Sequence, residues 1–157
     1  MTITLLVRVK GGAGSGNYGH AGRPGMVGGS GGFSRTTVPV SVIGGEAYVD
    51  EAAAEYVSNF NAAGMETSAA CSGHVGEESL TTTLSVRHNY ATVSKVDVLR
   101  NFIRSGKLSL DWHMTDKPGG WHDLYPKDGF YGSGKLPSTR ENVMAANRDM
   151  LLMSEVV

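Results

Sequence analysis

Ile3, Leu5, Val7 and Val9 alternate with Thr4, Leu6 and Arg8, a period of two that predicts a strand at the start of the chain. Thr36–Ile43 is rich in β-branched residues and predicts a second strand; Pro39, which lacks a ladder donor, fits an edge, and Gly44-Gly45 fits a turn. The period then becomes helical. Over Asp50–Ala63, Tyr56, Val57 and Phe60 share one face, Asp50 suits the N-cap, Glu51 suits the positive end of the dipole, and Gly64 suits the stop. Met65–Cys71 and Leu80–His88 predict strands, the latter alternating threonine with Leu84 and Val86. Ser94 followed by Asp97 opens a helix to about Ser105, with Val96, Leu99, Phe102 and Ile103 inward and Gly106 as its stop. Leu108–Met114 predicts a further strand. Asp116–Leu136, with five glycines and two prolines, predicts a long loop carrying Trp121, Tyr125, Phe130 and Tyr131. Ser138 with Glu141 forms a capping box for a last helix through Met153.

From Val38 onward the order is strand, helix, strand, strand, helix, strand. It predicts an α+β fold with a ferredoxin-like split βαβ core (βαββαβ), preceded by an extra strand and followed by a C-terminal helix. The 157 residues divide into 1–35, a strand plus glycine-rich linker or interface arm, and 36–157, a single α+β domain large enough for its own core.

Eleven of the 22 glycines fall in 11–32, a stretch with too few side chains to bury. No acid precedes Glu46, whereas Arg8, Lys10, Arg23 and Arg35 do, so residues 1–45 carry +4 against −5 for the rest. The net charge of −1 argues against a duplex nucleic-acid partner. A single cysteine, Cys71, rules out an intramolecular disulfide and suits a reducing compartment. No apolar run reaches the roughly 20 residues needed to span a bilayer, and the first ten residues lack the form of a signal peptide. These features predict a cytoplasmic protein with no membrane partner.

Two nucleotide-motif matches lack their context. Gly14-Ser-Gly-Asn-Tyr-Gly19 has dinucleotide-fingerprint spacing, but Ala21-Gly-Arg-Pro-Gly25 cannot open the helix that must receive the pyrophosphate. Gly129 to Lys135 has phosphate-loop spacing, but Leu136 stands where a magnesium-binding hydroxyl belongs.

Three readings stand for Thr67-Ser-Ala-Ala-Cys71-Ser-Gly-His74, at the end of a predicted strand. One is a structural turn around a small buried thiol. Another is a polar ligand pocket of Ser68, Cys71, Ser72 and His74, with Gly73 admitting a close backbone approach. The third is a metal or thiolate site, with His88, His113 and His122 supplying further ligands; the two tight ligand pairs of structural zinc sites are missing, and neither metal nor cofactor is assigned. Trp112-His113 and Trp121-His122 form a second cluster, suited to stacking on a base and hydrogen-bonding it, or else to core and loop packing. Asp111, Asp116, Asp123 and Asp128 lie nearby without a diagnostic acid–base spacing.

Two resemblances add to this. Ser68, Cys71, Ser72 and Gly73, after a helix, resemble the Ser-Cys-Ser-Gly segment of the wybutosine-synthesis family, with His74 where that family has arginine. The resemblance covers about residues 50–90 and implies a nucleotide- or RNA-modifying enzyme; the family uses S-adenosylmethionine on a tRNA base. Gly19-His-Ala-Gly-Arg-Pro-Gly-Met-Val-Gly-Gly-Ser30 resembles glycine segments of tailed-bacteriophage proteins, which implies a phage origin. In that segment glycine amides with Arg23 can form an anion nest. The leading expectation is a phage-encoded, homo-oligomeric binding protein that sequesters a small, nucleotide-like signalling ligand in the host cytoplasm to counter a defence. Its ligand-binding residues are Ser68, Cys71, Ser72, Gly73, His74, Trp112, His113, Trp121, His122 and Arg23. The alternatives are the modifying enzyme and a head-assembly accessory protein.

Overall fold

The computed structural model describes residues 36–129 and 135–157. The predicted first strand, the glycine-rich segment with Arg23, and the loop aromatics Phe130 and Tyr131 lie outside them. The described chain runs β1 (Thr37–Val42), β2 (Gly45–Asp50), α1 (Glu51–Ala62), β3 (Glu66–Cys71), β4 (Thr83–Arg87), α2 (Val93–Arg104), β5 (Trp112–Lys117), a 3₁₀ turn (Pro118–Gly120), β6 (Trp121–Pro126) and α3 (Arg140–Val156). It is an α+β fold with two antiparallel sheets and three helices.

The strand order differs from a split βαβ core. β1 does not join the main sheet; it pairs with β2 as a separate hairpin, Val42 opposite Gly45. Gly44, at φ +90°, reverses the chain at once, so the ladder groups of β1 find partners within a few residues. The main sheet has the order β3-β4-β6-β5, every pair antiparallel.

Two further expectations are corrected in this sheet. The strand predicted over Leu108–Met114 begins only at Trp112, because the amides of Ser109 and Leu110 donate to the Asp149 carboxylate of α3 at 2.8 and 2.9 Å instead of to a neighbouring strand. The loop predicted over Asp116–Leu136 contains the end of β5 and all of β6. In β6 His122, Leu124 and Pro126 are buried while Trp121, Asp123 and Tyr125 are half-buried, the alternation of a strand with one face on the core.

The core lies on that inner face. Tyr56, Val57 and Phe60 of α1, Leu99 of α2, and Val143, Ala146, Met150 and Met153 of α3 meet Leu84, Val86 and Leu124 of the sheet. The helix stops fall where glycine allows them: Gly64, at φ +84°, follows α1 and donates to the Asn61 carbonyl at 3.0 Å. The caps differ from the predicted ones. α2 opens after Thr92, whose amide donates to the Asn89 side chain at 3.1 Å, and α3 opens after Thr139, whose hydroxyl accepts the Asn142 amide at 3.1 Å.

Candidate functional site

Strand parity divides the two Trp-His pairs between the faces of the sheet. Trp112 faces Pro126 and His122 faces Asp116 on the inner side; His113 faces Tyr125 and Trp121 faces Lys117 on the outer side. Trp112 is buried, and its indole N–H donates to Asp149 at 2.8 Å, so its polar edge is committed to the fold. His122 is 4 % exposed.

The outer face carries three rows of side chains. In the first, His113 and Tyr125 have ring centroids 5.5 Å apart. In the second, Thr115, Asp123, Ser85 and Ser68 lie side by side; the Ser85 hydroxyl donates to Asp123 at 2.5 Å and the Lys117 ammonium reaches the same carboxylate at 2.9 Å. In the third, Lys117, Trp121, Arg87 and Glu66 are neighbours; the Arg87 guanidinium lies 5.8 Å from the Trp121 ring centroid and 3.4 Å from the Glu66 carboxylate. All of these side chains are half-buried or exposed, whereas Leu84, Val86 and Leu124 on the other side are fully buried. The face offers aromatic rings, two cations and a hydrogen-bonded carboxylate together. Of the predicted ligand residues it gathers Ser68, His113 and Trp121.

The Cys71–His74 stretch sits at the other end of β3 and is used mainly by the fold. The Ser72 hydroxyl donates to Asp50 at 2.8 Å, and its carbonyl accepts from Thr82 and Asn147 at 3.0 and 2.8 Å. Asp50 precedes α1 but makes no side-chain cap bond there; its carboxylate serves Ser72. Gly73, at φ +102°, has no room for a side chain: a Cβ would lie 2.7 Å from the Thr82 hydroxyl. The close approach it permits is to this chain's own core. Cys71 Sγ lies 3.6 Å from His74 Nε2, and His74 Nδ1 is buried without a partner among the described residues. Burial pushes the Cys71 thiol up, the Gly73 amide opposes this, and the Asp50 charge adds to it. A thiol held protonated is a poor nucleophile and a poor metal ligand. Tyr56, pushed well up by burial with Cys71 and Asp50 adding, places its hydroxyl 3.3 Å from Asn147 Oδ1. Beside it, Ala52, Glu55, Met144, Asn147, Arg148 and Leu151 line a mainly apolar groove of about 270 Å³ between α1 and α3.

At the turn end of the sheet, sequence reasoning named the parts without their connection. Asp116 Oδ1 accepts from His122 Nδ1 at 2.8 Å, and His122 Nε2 lies 2.7 Å from His88 Nδ1, with the ring centroids 4.9 Å apart and the ring planes 29° from parallel. Arg100 of α2 pairs with the same Asp116 oxygen. The His122 hydrogen bond, followed by Arg100, holds the Asp116 carboxyl below its usual range. Asp116 and His122 share an inner-face pair of the β5–β6 ladder, but that pairing was invisible while the segment read as a loop. No group of three or more His, Cys, Asp or Glu side chains among the described residues is arranged to hold a metal ion. No helix there is long and apolar enough to cross a membrane. Compared with known proteins, the chain matches no family model, no curated protein and no solved structure.

Proposed function

We propose that this protein binds a nucleotide-like ligand on the outer face of its four-stranded sheet. The observation that carries the reading is the outward row Lys117, Trp121, Arg87 and Glu66, with the His113–Tyr125 pair on the same face. An antiparallel sheet with one face on helices and aromatic rings on the other is a stacking platform for unpaired bases. Arg87 and Lys117 supply charge for phosphate. Asp123, already accepting from Ser85, has lone pairs left for a ribose hydroxyl or a base N–H. The near balance of Arg87 and Lys117 against Glu66 and Asp123 favours a small or single-stranded ligand over a duplex, which demands a strongly basic surface.

The phage-type glycine segment supports placing such a protein in an infected cell, where sequestering a signalling nucleotide would blunt a host defence. Thermal-shift and calorimetric titration with a panel of mononucleotides, cyclic nucleotides and short RNA oligomers tests the binding. The reading requires saturable stabilisation that is lost in Trp121→Ala and Tyr125→Ala. No stabilisation by any of the panel at millimolar concentration removes it.

A further inference from the structure

The chain Asp116, His122, His88 lies on the helix side of the sheet, away from the face just described, and its chemistry is separate. Asp116 is ionised and can only accept, so the proton between it and His122 belongs to His122 Nδ1. A neutral His122 then presents Nε2 as a bare acceptor. The 2.7 Å contact requires a donor, and among the described residues the atom that makes it is His88 Nδ1. With His122 neutral, His88 Nδ1 carries the proton, and His88 Nε2, directed away from His122, is left with a free lone pair. No described residue bonds to that atom.

The arrangement is firmly held. His122 is buried with both nitrogens engaged. The His88 amide donates to the Gly120 carbonyl at 3.0 Å, and a Cβ on Gly120 would come within 2.9 Å of the His88 carbonyl and 3.5 Å of its ring. Arg100 fixes Asp116 from α2, and His88 stands at the partly open end, half-buried. A hydrophobic pair would close this turn without desolvating an imidazole; a carboxylate–imidazole–imidazole series instead supports positive charge arriving at its far end.

We propose that His88 is a general base whose Nε2 activates water for the hydrolysis of carboxylic esters with good leaving groups, with His122 and Asp116 as positioning residues. In the step, His88 Nε2 takes a proton from water as the water oxygen bonds to the acyl carbon. The carbon–oxygen bond to the leaving group then breaks, and the leaving oxygen keeps the electron pair. The His88 proton goes to that oxygen, or to solvent when the leaving group is stable as an anion. While His88 carries two protons, its Nδ1–H bond to His122 and the His122 bond to Asp116 share the charge.

The test uses the full chain and p-nitrophenyl acetate, following p-nitrophenolate release against pH. The expected result is a rate above that of an equal concentration of free imidazole. His88→Gln keeps a side-chain donor for His122 but has no base; it should fall at least tenfold. Asp116→Asn should lower kcat with KM unchanged. Diethyl pyrocarbonate, read by peptide mass, should modify His88 of the unaltered protein faster than the exposed His113, a measurement that needs no variant to fold. Equal hydrolysis by folded His88→Gln, an unchanged kcat in Asp116→Asn, or slower carbethoxylation of His88 than of His113 overturns the proposal. Nucleotide binding to the outer face survives any of these failures.

Discussion

From the third turn of α3, the Asp149 carboxylate accepts the indole N–H of Trp112 at 2.8 Å, and the same carboxylate accepts the amides of Ser109 and Leu110. Asp149 has no exposed surface, so one side chain satisfies three donors where the chain enters β5. Its removal leaves the buried indole N–H without a partner and the part-buried amides of Ser109 and Leu110 without their acceptor. Asp149→Ala should cost about 3–5 kcal/mol, and Trp112→Phe, which removes only one donor to a charged acceptor, about 1.5–3 kcal/mol. Urea denaturation of the two variants checks both the size and the order.

Asp116 gives a pH signature. Its carboxyl is held below the usual range in the folded protein, first by His122 and then by Arg100. Its contribution to stability is therefore fully present above the ordinary aspartate value of about 3.9. It is lost as pH falls from there through the lower folded value. The urea midpoint of the unaltered protein should drop more steeply below about pH 4 than that of Asp116→Asn, and salt should narrow the difference because the carboxylate is exposed. Parallel curves for the two proteins contradict the relationship.

Cys71 should resist thiol reagents. With burial and Asp50 raising it, the thiol remains protonated at neutral pH. Reaction with an aromatic disulfide at pH 7.5 should be slower than that of glutathione, and Asp50→Asn, which removes one of the raising influences, should react faster. Stopped-flow absorbance gives both rates. A native Cys71 faster than glutathione would reverse the assignment of this stretch to the fold.

Gly73→Ala should destabilise on two counts: a left-handed backbone at φ +102° and a methyl 2.7 Å from Thr82 Oγ1. The combined cost is about 2–4 kcal/mol, enough to lower Tm by several degrees in a domain of this size. Gly76, at φ +93° but with open space at its Cβ, separates the two causes; Gly76→Ala should lose only the backbone share.

Binding to the outer face predicts unequal losses. Trp121→Ala and Tyr125→Ala should each weaken nucleotide affinity by roughly 5–150-fold, the range that stacking of one base supplies. Val98→Ala on the exposed side of α2 should leave it unchanged. Isothermal calorimetry compares the three.

The α1 face, the β4 alternation and the glycine stops were legible because each rests on neighbours in sequence. Tyr56, Val57 and Phe60 needed only helical spacing, and all three are buried. β6 was obscured by its composition: Trp121, Tyr125 and the nearby glycines drew attention to loop character, while the alternation of His122, Leu124 and Pro126 carried the strand. The start of β5 depends on Asp149, about forty residues away, which no local pattern reports. The separate β1–β2 hairpin reflects the immediate reversal at Gly44, and an order of elements says nothing of which strands pair. The Trp-His pairs were legible as residues of interest, but only the register showed that one member of each points outward. His88 and Asp116 became a chain of hydrogen bonds only when β4, β5 and β6 were placed side by side.

The main sheet ends in β3 on one side and β5 on the other, and the two borders are finished differently. Between Ser68 and Cys71 the pairing of β3 with β4 slips, with Ala69 at φ +51°, so that border is bent. β5 closes on Asp116 and Lys117, both exposed and charged, and then on Pro118, which has no amide to offer. A foreign strand seeking to extend the sheet meets a kink on one side and charges on the other. The sheet can therefore expose a broad face of rings and polar groups while discouraging edge-to-edge aggregation with other copies.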